Sequence, residues 1–263
     1  MKMQKLFRNS YVLDLVAALM FFTRIPVKWD YFSNEAPNLT KAAWTFSLIG
    51  YLIGILSGFF GDLCLFFELS NLLSCSVAIA VSVLLTGAFH EDGLADMTDG
   101  FGAGGSSERI NEIMHDSRLG TYGVISLILV ILTRLFIVLG LVNAGYSLII
   151  ILACGFATGK LAIIITRVFF NPSKHAKTGS IIGSILPSKI IIAILIWITP
   201  IFFIFPTLGI ITGIIFTIGI IFIIGKKSTS LIGGITGDVL GSIALLSEIF
   251  FLLGLLIVSG MVS

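Results

Sequence analysis

The chain has 263 residues, 57% of them hydrophobic and only 11% charged, with a mean hydropathy of +1.09. A soluble domain carries roughly 25% charged residues, so a large water-soluble fold is excluded and a polytopic α-helical membrane protein is expected. A net charge of +2 gives no electrostatic footprint for nucleic acid.

The N-terminus places Lys2, Lys5 and Arg8 before an apolar run over 11–22. This resembles a signal peptide, but Asp14 interrupts the run, and Arg24 and Pro26 follow it without a clear cleavage site. An uncleaved, short, interfacial or re-entrant helix is the preferred reading. Apolar stretches then follow at about 42–61, 74–90, 122–143, 147–166, 189–206, 207–225 and 241–260, each near the ~20 residues a bilayer needs. The second is short unless it extends to Asn71 or into the polar motif after it. The fifth and sixth are parted only by Phe205, Pro206 and Thr207, which suits a tight hairpin. The expected architecture is all-α: a transmembrane helical bundle of about seven spans plus the N-terminal helix, as one domain over 1–263. Cys64, Cys75 and Cys154 lie in or beside apolar segments without metal-ligand spacing and read as small apolar residues.

Basic residues orient the bundle. One side holds 14 of them: Lys2, Lys5, Arg8, Arg24, Lys28, Lys41, Arg109, Arg118, Arg167, Lys174, Lys177, Lys189, Lys226 and Lys227. The opposite connections, near 62–73, 143–147 and 205–207, hold none. The basic side is therefore read as cytoplasmic, with Asp62 and Glu68 facing out. That puts 91–121, 167–188 and 226–240 together on the cytoplasmic face.

The polar block His90-Glu91-Asp92-Gly93-Leu94-Ala95-Asp96-Met97-Thr98-Asp99-Gly100 follows the second span. On a helix, Asp92, Asp96 and Asp99 fall at i, i+4 and i+7, within an arc of about 60°. Carboxylates on one face repel unless a cation sits between them, and a hard divalent cation such as Mg²⁺ suits oxygen ligands. The plainer reading is a solvated helix end. However, acids at the C-terminal end of a span oppose the helix dipole, and ionisable groups at a membrane boundary are costly. Glu91 lies about 100° off the aspartate face and suits a base or an orienting group better than a ligand.

After this block, Gly102-Ala103-Gly104-Gly105-Ser106-Ser107-Glu108-Arg109 signals a loop and a capped helix. It is either a connector with an amphipathic surface helix, or a place where backbone N–H groups cradle a phosphate. In His115-Asp116-Ser117-Arg118-Leu119-Gly120, Arg118 is either a positive-inside anchor or a fork for phosphate oxygens. Asp116 would then add a ligand or hold Arg118. Near the C-terminus, Gly233-Gly234-Ile235-Thr236-Gly237-Asp238 reads as a flexible loop, or as tight turns around one further ligand, Asp238. Two charges fall inside spans. Lys160 can snorkel. Arg134 cannot easily do so, and Glu248 is its most obvious partner.

The segments FFTRIPV (21–27), TGAFHEDGLADMTDGFGAGG (86–105), ERINEIMHDSRLGTYG (108–123) and GGITGDVLGS (233–242) resemble, in order, those of the cobalamin synthase family, also called adenosylcobinamide-GDP ribazoletransferase. The acidic block followed by DSR-x-G-x-x-G is the most specific part. The connection from Arg167 to Lys189 matches less, and no residue role is carried over from it. The resemblance implies a bacterial or archaeal cytoplasmic (inner) membrane enzyme. It would join adenosylcobinamide-GDP to α-ribazole, or its 5′-phosphate, with Mg²⁺ and release GMP. On that reading Asp92, Asp96 and Asp99 are metal ligands, with Asp238 a possible fourth. One of Glu91, Asp99 or His90 takes the hydroxyl proton. Arg118, and less directly Arg109, Arg24 and the backbone at Gly104 and Gly105, hold phosphate oxygens. Partners are the two substrates and the lipid bilayer, with a homo-oligomer also open.

Two other readings compete. A CDP-alcohol phosphotransferase carries Asp-Gly-x-x-Ala-Arg, echoed by Asp92-Gly93-Leu94-Ala95, but the pattern's arginine is absent and its alanine displaced. A cation-coupled transporter would place carboxylates near the midplane on broken helices, whereas these cluster at one interface.

Overall fold

The computed structural model describes residues 9–176 and 182–262. Lys2, Lys5, Arg8 and Lys177 of the orientation count lie outside the described residues. Helix α1 (Ser10–Phe22) begins where the Asn9 side chain accepts from Tyr11 N–H at 3.1 Å. At 13 residues it is only about 20 Å long, too short to cross a bilayer. Asp14 fixes it in place: the Trp44 indole donates to Asp14 at 2.8 Å, and Lys189 approaches the same oxygen at 3.5 Å. A helical turn over Leu39–Ala42 and a tight turn over Ala43–Thr45 lead into α2 (Phe46–Phe66). The remaining helices are α3 (Asn71–Thr86), α4 (Phe89–Ala103), α5 (Ser107–Met114), α6 (Thr121–Asn143), α7 (Leu148–Phe169), α8 (Pro187–Ile204), α9 (Thr207–Ile232) and α10 (Gly237–Val262). Among the described residues the only β-pairing is an isolated bridge between Pro172 and Ile235.

Six helices are long and apolar enough to cross a membrane, and the bent pair α3–α4 makes up to seven. The all-α polytopic bundle is therefore as expected, and α8 and α9 are joined only by Phe205 and Pro206. One expectation is corrected. Of its two possible extensions, the second span takes the one back to Asn71, and the acidic block does not continue it. Gly87 (φ 68°) and Ala88 (φ 55°) are both left-handed, and the chain turns by 85° before α4 begins. The α3 helix closes with Ala88 N–H bonded to Val83 C=O at 2.9 Å, as in a Schellman-type end. Glu91 and Asp92 thus stand in the first turn of a new, polar helix outside the apolar spans, where the helix dipole favours acids.

Lipid gives no hydrophobic drive between helices, so close packing of small residues holds them together. Gly50, Gly54 and Gly58 recur every fourth residue along α2 and face Ala157, Ala153 and Ile149 of α7. A Cβ at Gly54 would lie 2.3 Å from the Ala153 backbone. Gly213 of α9 and Gly254 of α10 meet in the same way. Helices α7 and α10 form the centre, with 83% and 72% of their apolar windows buried against 17% for α8. At the end lacking basic residues, Asp62 accepts from Leu148 and Ile149 N–H at 2.8 and 3.1 Å, capping α7. At the opposite end the 171–173 strand-like turn lies on the 232–235 loop: Ile235 N–H donates to Asn171 C=O, and Ser173 N–H to Ile235 C=O, both at 3.0 Å.

Gly54→Ala should destabilise the bundle by about 1–3 kcal/mol through overpacking. Gly219→Ala, where nothing lies within 4 Å, should not lower it. Thermal unfolding of the detergent-solubilised protein separates the two, and equal melting temperatures would contradict this packing.

Candidate active site

A cleft of about 700 Å³ opens where α4, the α5–α6 loop, the 175 region and the start of α10 converge. Asp92 and Asp96 face it from α4, Asp238 from the first turn of α10, and His115, Asp116, Ser117 and Arg118 from the loop. The two acidic elements are joined through backbone. A Cβ at Gly93 would sit 2.8 Å from the Asp238 carbonyl oxygen. Ser242 Oγ donates to both the Gly93 and Asp238 carbonyls, at 3.0 and 2.8 Å. Among the described residues no lysine or arginine pairs with Asp92, Asp96 or Asp238. Burial, then the charges of Asp92 and Asp238, push the Asp96 carboxyl up to about 7.

Asp99 has a different setting from its two neighbours on the face. It is buried, and it accepts from Gly120 N–H at 2.7 Å and Gly123 N–H at 2.8 Å. Both carboxylate oxygens thereby cap the start of α6, and Asp99 is not among the cleft-lining residues. Cβ atoms at Gly120 or Gly123 would come within 2.3 Å of it, which explains both glycines after DSR. Asp99 thus anchors the loop that carries His115 to Arg118. Asp116 and Arg118 form an exposed pair at 2.7 Å, and the guanidinium holds the Asp116 carboxyl down at about 2.

The other expected phosphate groups lie away from the cleft lining. Arg109 pairs with Glu112 one turn along α5, at 2.7 Å. Gly104 and Gly105 take positive φ to turn the chain from α4 into α5. Arg24 lies over the α3–α4 break, its side-chain Nε 2.2 Å from where a Gly87 Cβ would be, and its backbone N–H donates to Leu85 C=O at 2.8 Å. His90 is buried and turned from the cleft, with Nε2 2.6 Å from Lys160 Nζ. Glu91 does line the cleft, at its inner end.

The expected Arg134–Glu248 pair is present at 2.6 Å. Lys160 does not snorkel. It is 1% exposed and lies 5.1 and 5.4 Å from the ring centroids of Phe22 and Phe156. Sequence reasoning missed His175 and Thr236, which line the cleft. His175 is held by Ser107 Oγ at 2.9 Å, and its neighbour Lys174 pairs with Glu108 at 2.8 Å. A signal existed: the chain has only three histidines, and two of them line this cleft.

The cobalamin-5-phosphate synthase family model matches residues 14–256. An adenosylcobinamide-GDP ribazoletransferase of Azorhizobium caulinodans is 35% identical, covering 95% of this chain and 98% of its own length. Proteins of the same name are 35% identical in Clostridium botulinum strain Langeland, over 94% of this chain and 99% of theirs. In Escherichia coli K12 the figure is 34%, over 91% and 98%. No solved structure matches. The acidic helix, the capped loop and the α10 turn lie within this full-length similarity, and the chain belongs to the adenosylcobinamide-GDP ribazoletransferase family of cobalamin-forming membrane transferases.

Proposed function

We propose that the protein transfers the adenosylcobinamide phosphate group of adenosylcobinamide-GDP to α-ribazole or its 5′-phosphate, at the cytoplasmic face of the inner membrane. A ribose hydroxyl oxygen of the acceptor bonds to the phosphorus carried by the cobinamide. The bond from that phosphorus to the bridging oxygen breaks, GMP leaves, and the hydroxyl proton passes to a base. The product is adenosylcobalamin or its 5′-phosphate. The relatives' names support the substrates. The single observation that supports the site is that Asp92, Asp96 and Asp238 face one cleft with no lysine or arginine paired to them among the described residues.

The donor set fits Mg²⁺, held by Asp92, Asp96 and Asp238. Among the described residues no three acidic, His or Cys side chains converge into a ready cage. Mg²⁺ commonly binds one or two carboxylates plus substrate phosphates and keeps several waters, so these aspartates would share it with the diphosphate rather than enclose it. Asp99 is left out of the ligand set because backbone N–H groups occupy both its oxygens. When bound, Mg²⁺ supplies positive charge against the charge that builds on the diphosphate. The chain's own groups do the rest. Asp99 fixes the 115–118 loop over the cleft. Arg118 exchanges Asp116 for a phosphate oxygen pair, a match of fork to oxyanion. Glu91, at the inner end, accepts the hydroxyl proton.

Purified protein in liposomes, given adenosylcobinamide-GDP, α-ribazole and Mg²⁺, should release GMP; no release alongside an active relative would overturn the proposal. Asp96→Asn should lower turnover by about 100-fold or more with normal folding. Gly123→Ala should also lower turnover, by displacing the Asp99-held loop, while leaving calorimetric Mg²⁺ affinity within twofold; a matching loss of Mg²⁺ affinity would return Asp99 to the ligands. Because Asp96 keeps its proton below about pH 7, Mg²⁺ must displace it there. Calorimetric Mg²⁺ affinity should therefore be about tenfold weaker at pH 6 than at pH 8, and a flat profile would contradict Asp96 as a ligand.

A further inference from the structure

Behind the inner end of the cleft lies a group of charges that the transfer reaction leaves unassigned. Arg134 of α6 is 3% exposed, and its guanidinium stands 4.8 Å from the Phe156 ring centroid. One arm lies 2.6 Å from Glu248 of α10, which is also buried, and the other lies 3.6 Å from Glu91 of α4. Lys160 of α7 stands beside them and contacts His90. An ammonium can only donate, so His90 Nε2 accepts and its proton sits on Nδ1, which has no partner among the described residues. The formal charges balance: Arg134 and Lys160 against Glu91 and Glu248. Arg134 Nε and Nη2 and Glu248 Oε1 also lack a hydrogen-bond partner there, so the 2.6 Å Arg134–Glu248 contact is an ion pair without hydrogen-bond alignment.

Such a group is a poor way to hold helices together. Charges taken out of water are repaid only by well-aligned bonds, and apolar residues of similar volume often serve as well or better. Within a bilayer, retained ionisable groups point to function. Of the five, only Glu91 reaches the cleft. Helices α6 and α10 are therefore linked, through Arg134, to one carboxylate of the candidate site.

We infer that Arg134, itself held by Glu248, is a positioning residue that fixes the Glu91 carboxylate at the inner end of the cleft. The inference rests on the proposed transfer reaction for its catalytic meaning, while the geometric part stands on the contacts alone. Glu248 is not among the cleft-lining residues, and Arg134 is the group that contacts both it and Glu91. Lys160 does the same for the backbone next to Glu91, by holding His90. This is how a supporting shell of side chains sets a reacting group.

Two readouts test it. Glu248→Gln should lower kcat by about 10- to 100-fold with KM for both substrates within twofold, and Glu248→Asp should recover most of the loss. Combined with Glu91→Gln, it should add nothing further, since both act through one carboxylate. Multiplicative losses, or full activity in Glu248→Gln, would overturn the inference. If that variant does not fold, the paired Arg134→Met/Glu248→Leu variant removes both charges and should stay folded. In that variant, carbodiimide labelling of Glu91, read by mass spectrometry, should be several-fold faster than in the wild type. Unchanged labelling would overturn the inference. The labelling result holds whether or not the wild type releases GMP, so it fails separately from the proposed reaction.

Discussion

Gly93 has no side chain, and the first turn of α10 fills the space where one would stand. Ser242 ties the two helices there by bonding a carbonyl from each. This backbone contact brings Asp238 to the aspartates of α4 across more than half the chain. Without it the carboxylates would lie on separate helices, each free to be solvated alone. With it they share one cleft, where burial and then the charges of Asp92 and Asp238 raise the pKa of the Asp96 carboxyl. On the proposed reading, a cation and a diphosphate arriving together would relieve that cost.

The bend between α3 and α4 serves the same end. A membrane span cannot carry four acids within nine residues through hydrocarbon. The chain avoids this by stopping α3 at left-handed Gly87 and Ala88 and starting a polar helix at a steep angle. Acids then stand at a helix N-terminus, where the dipole helps them. Behind them the bundle is built from glycine contacts, with α7 and α10 at its centre. The few charges in that centre balance among themselves, and their only outlet is Glu91.

Much of this was legible in the sequence. Span positions followed from long apolar runs, because a bilayer demands both length and apolarity. The Arg134–Glu248 pair followed because an unpaired charge in lipid has few options. Convergence of the 92–99, 115–118 and 238 segments followed from the one-sided basic residues. What was not legible depended on backbone geometry. The spacing Asp92, Asp96, Asp99 places three acids on one helical face, yet spacing is silent on what a side chain meets. Asp99 meets two backbone N–H groups of α6, and the glycines that permit this stand more than twenty residues away. The helix break was hidden because Thr86-Gly87-Ala88 carries a single glycine and no proline. His175 was hidden in a connection with little motif character, and it reaches the cleft only through the pairing of 171–173 with 235.

The division of labour among the acids is the central claim: Asp92, Asp96 and Asp238 hold the cation, while Asp99 holds the loop. Anomalous scattering from Mn²⁺ in crystals grown with the diphosphate substrate addresses it most directly. The account predicts ion density between the α4 acids and the first turn of α10, with the Gly120 and Gly123 N–H groups still on Asp99. Density centred on Asp99, with those two contacts broken, would contradict it.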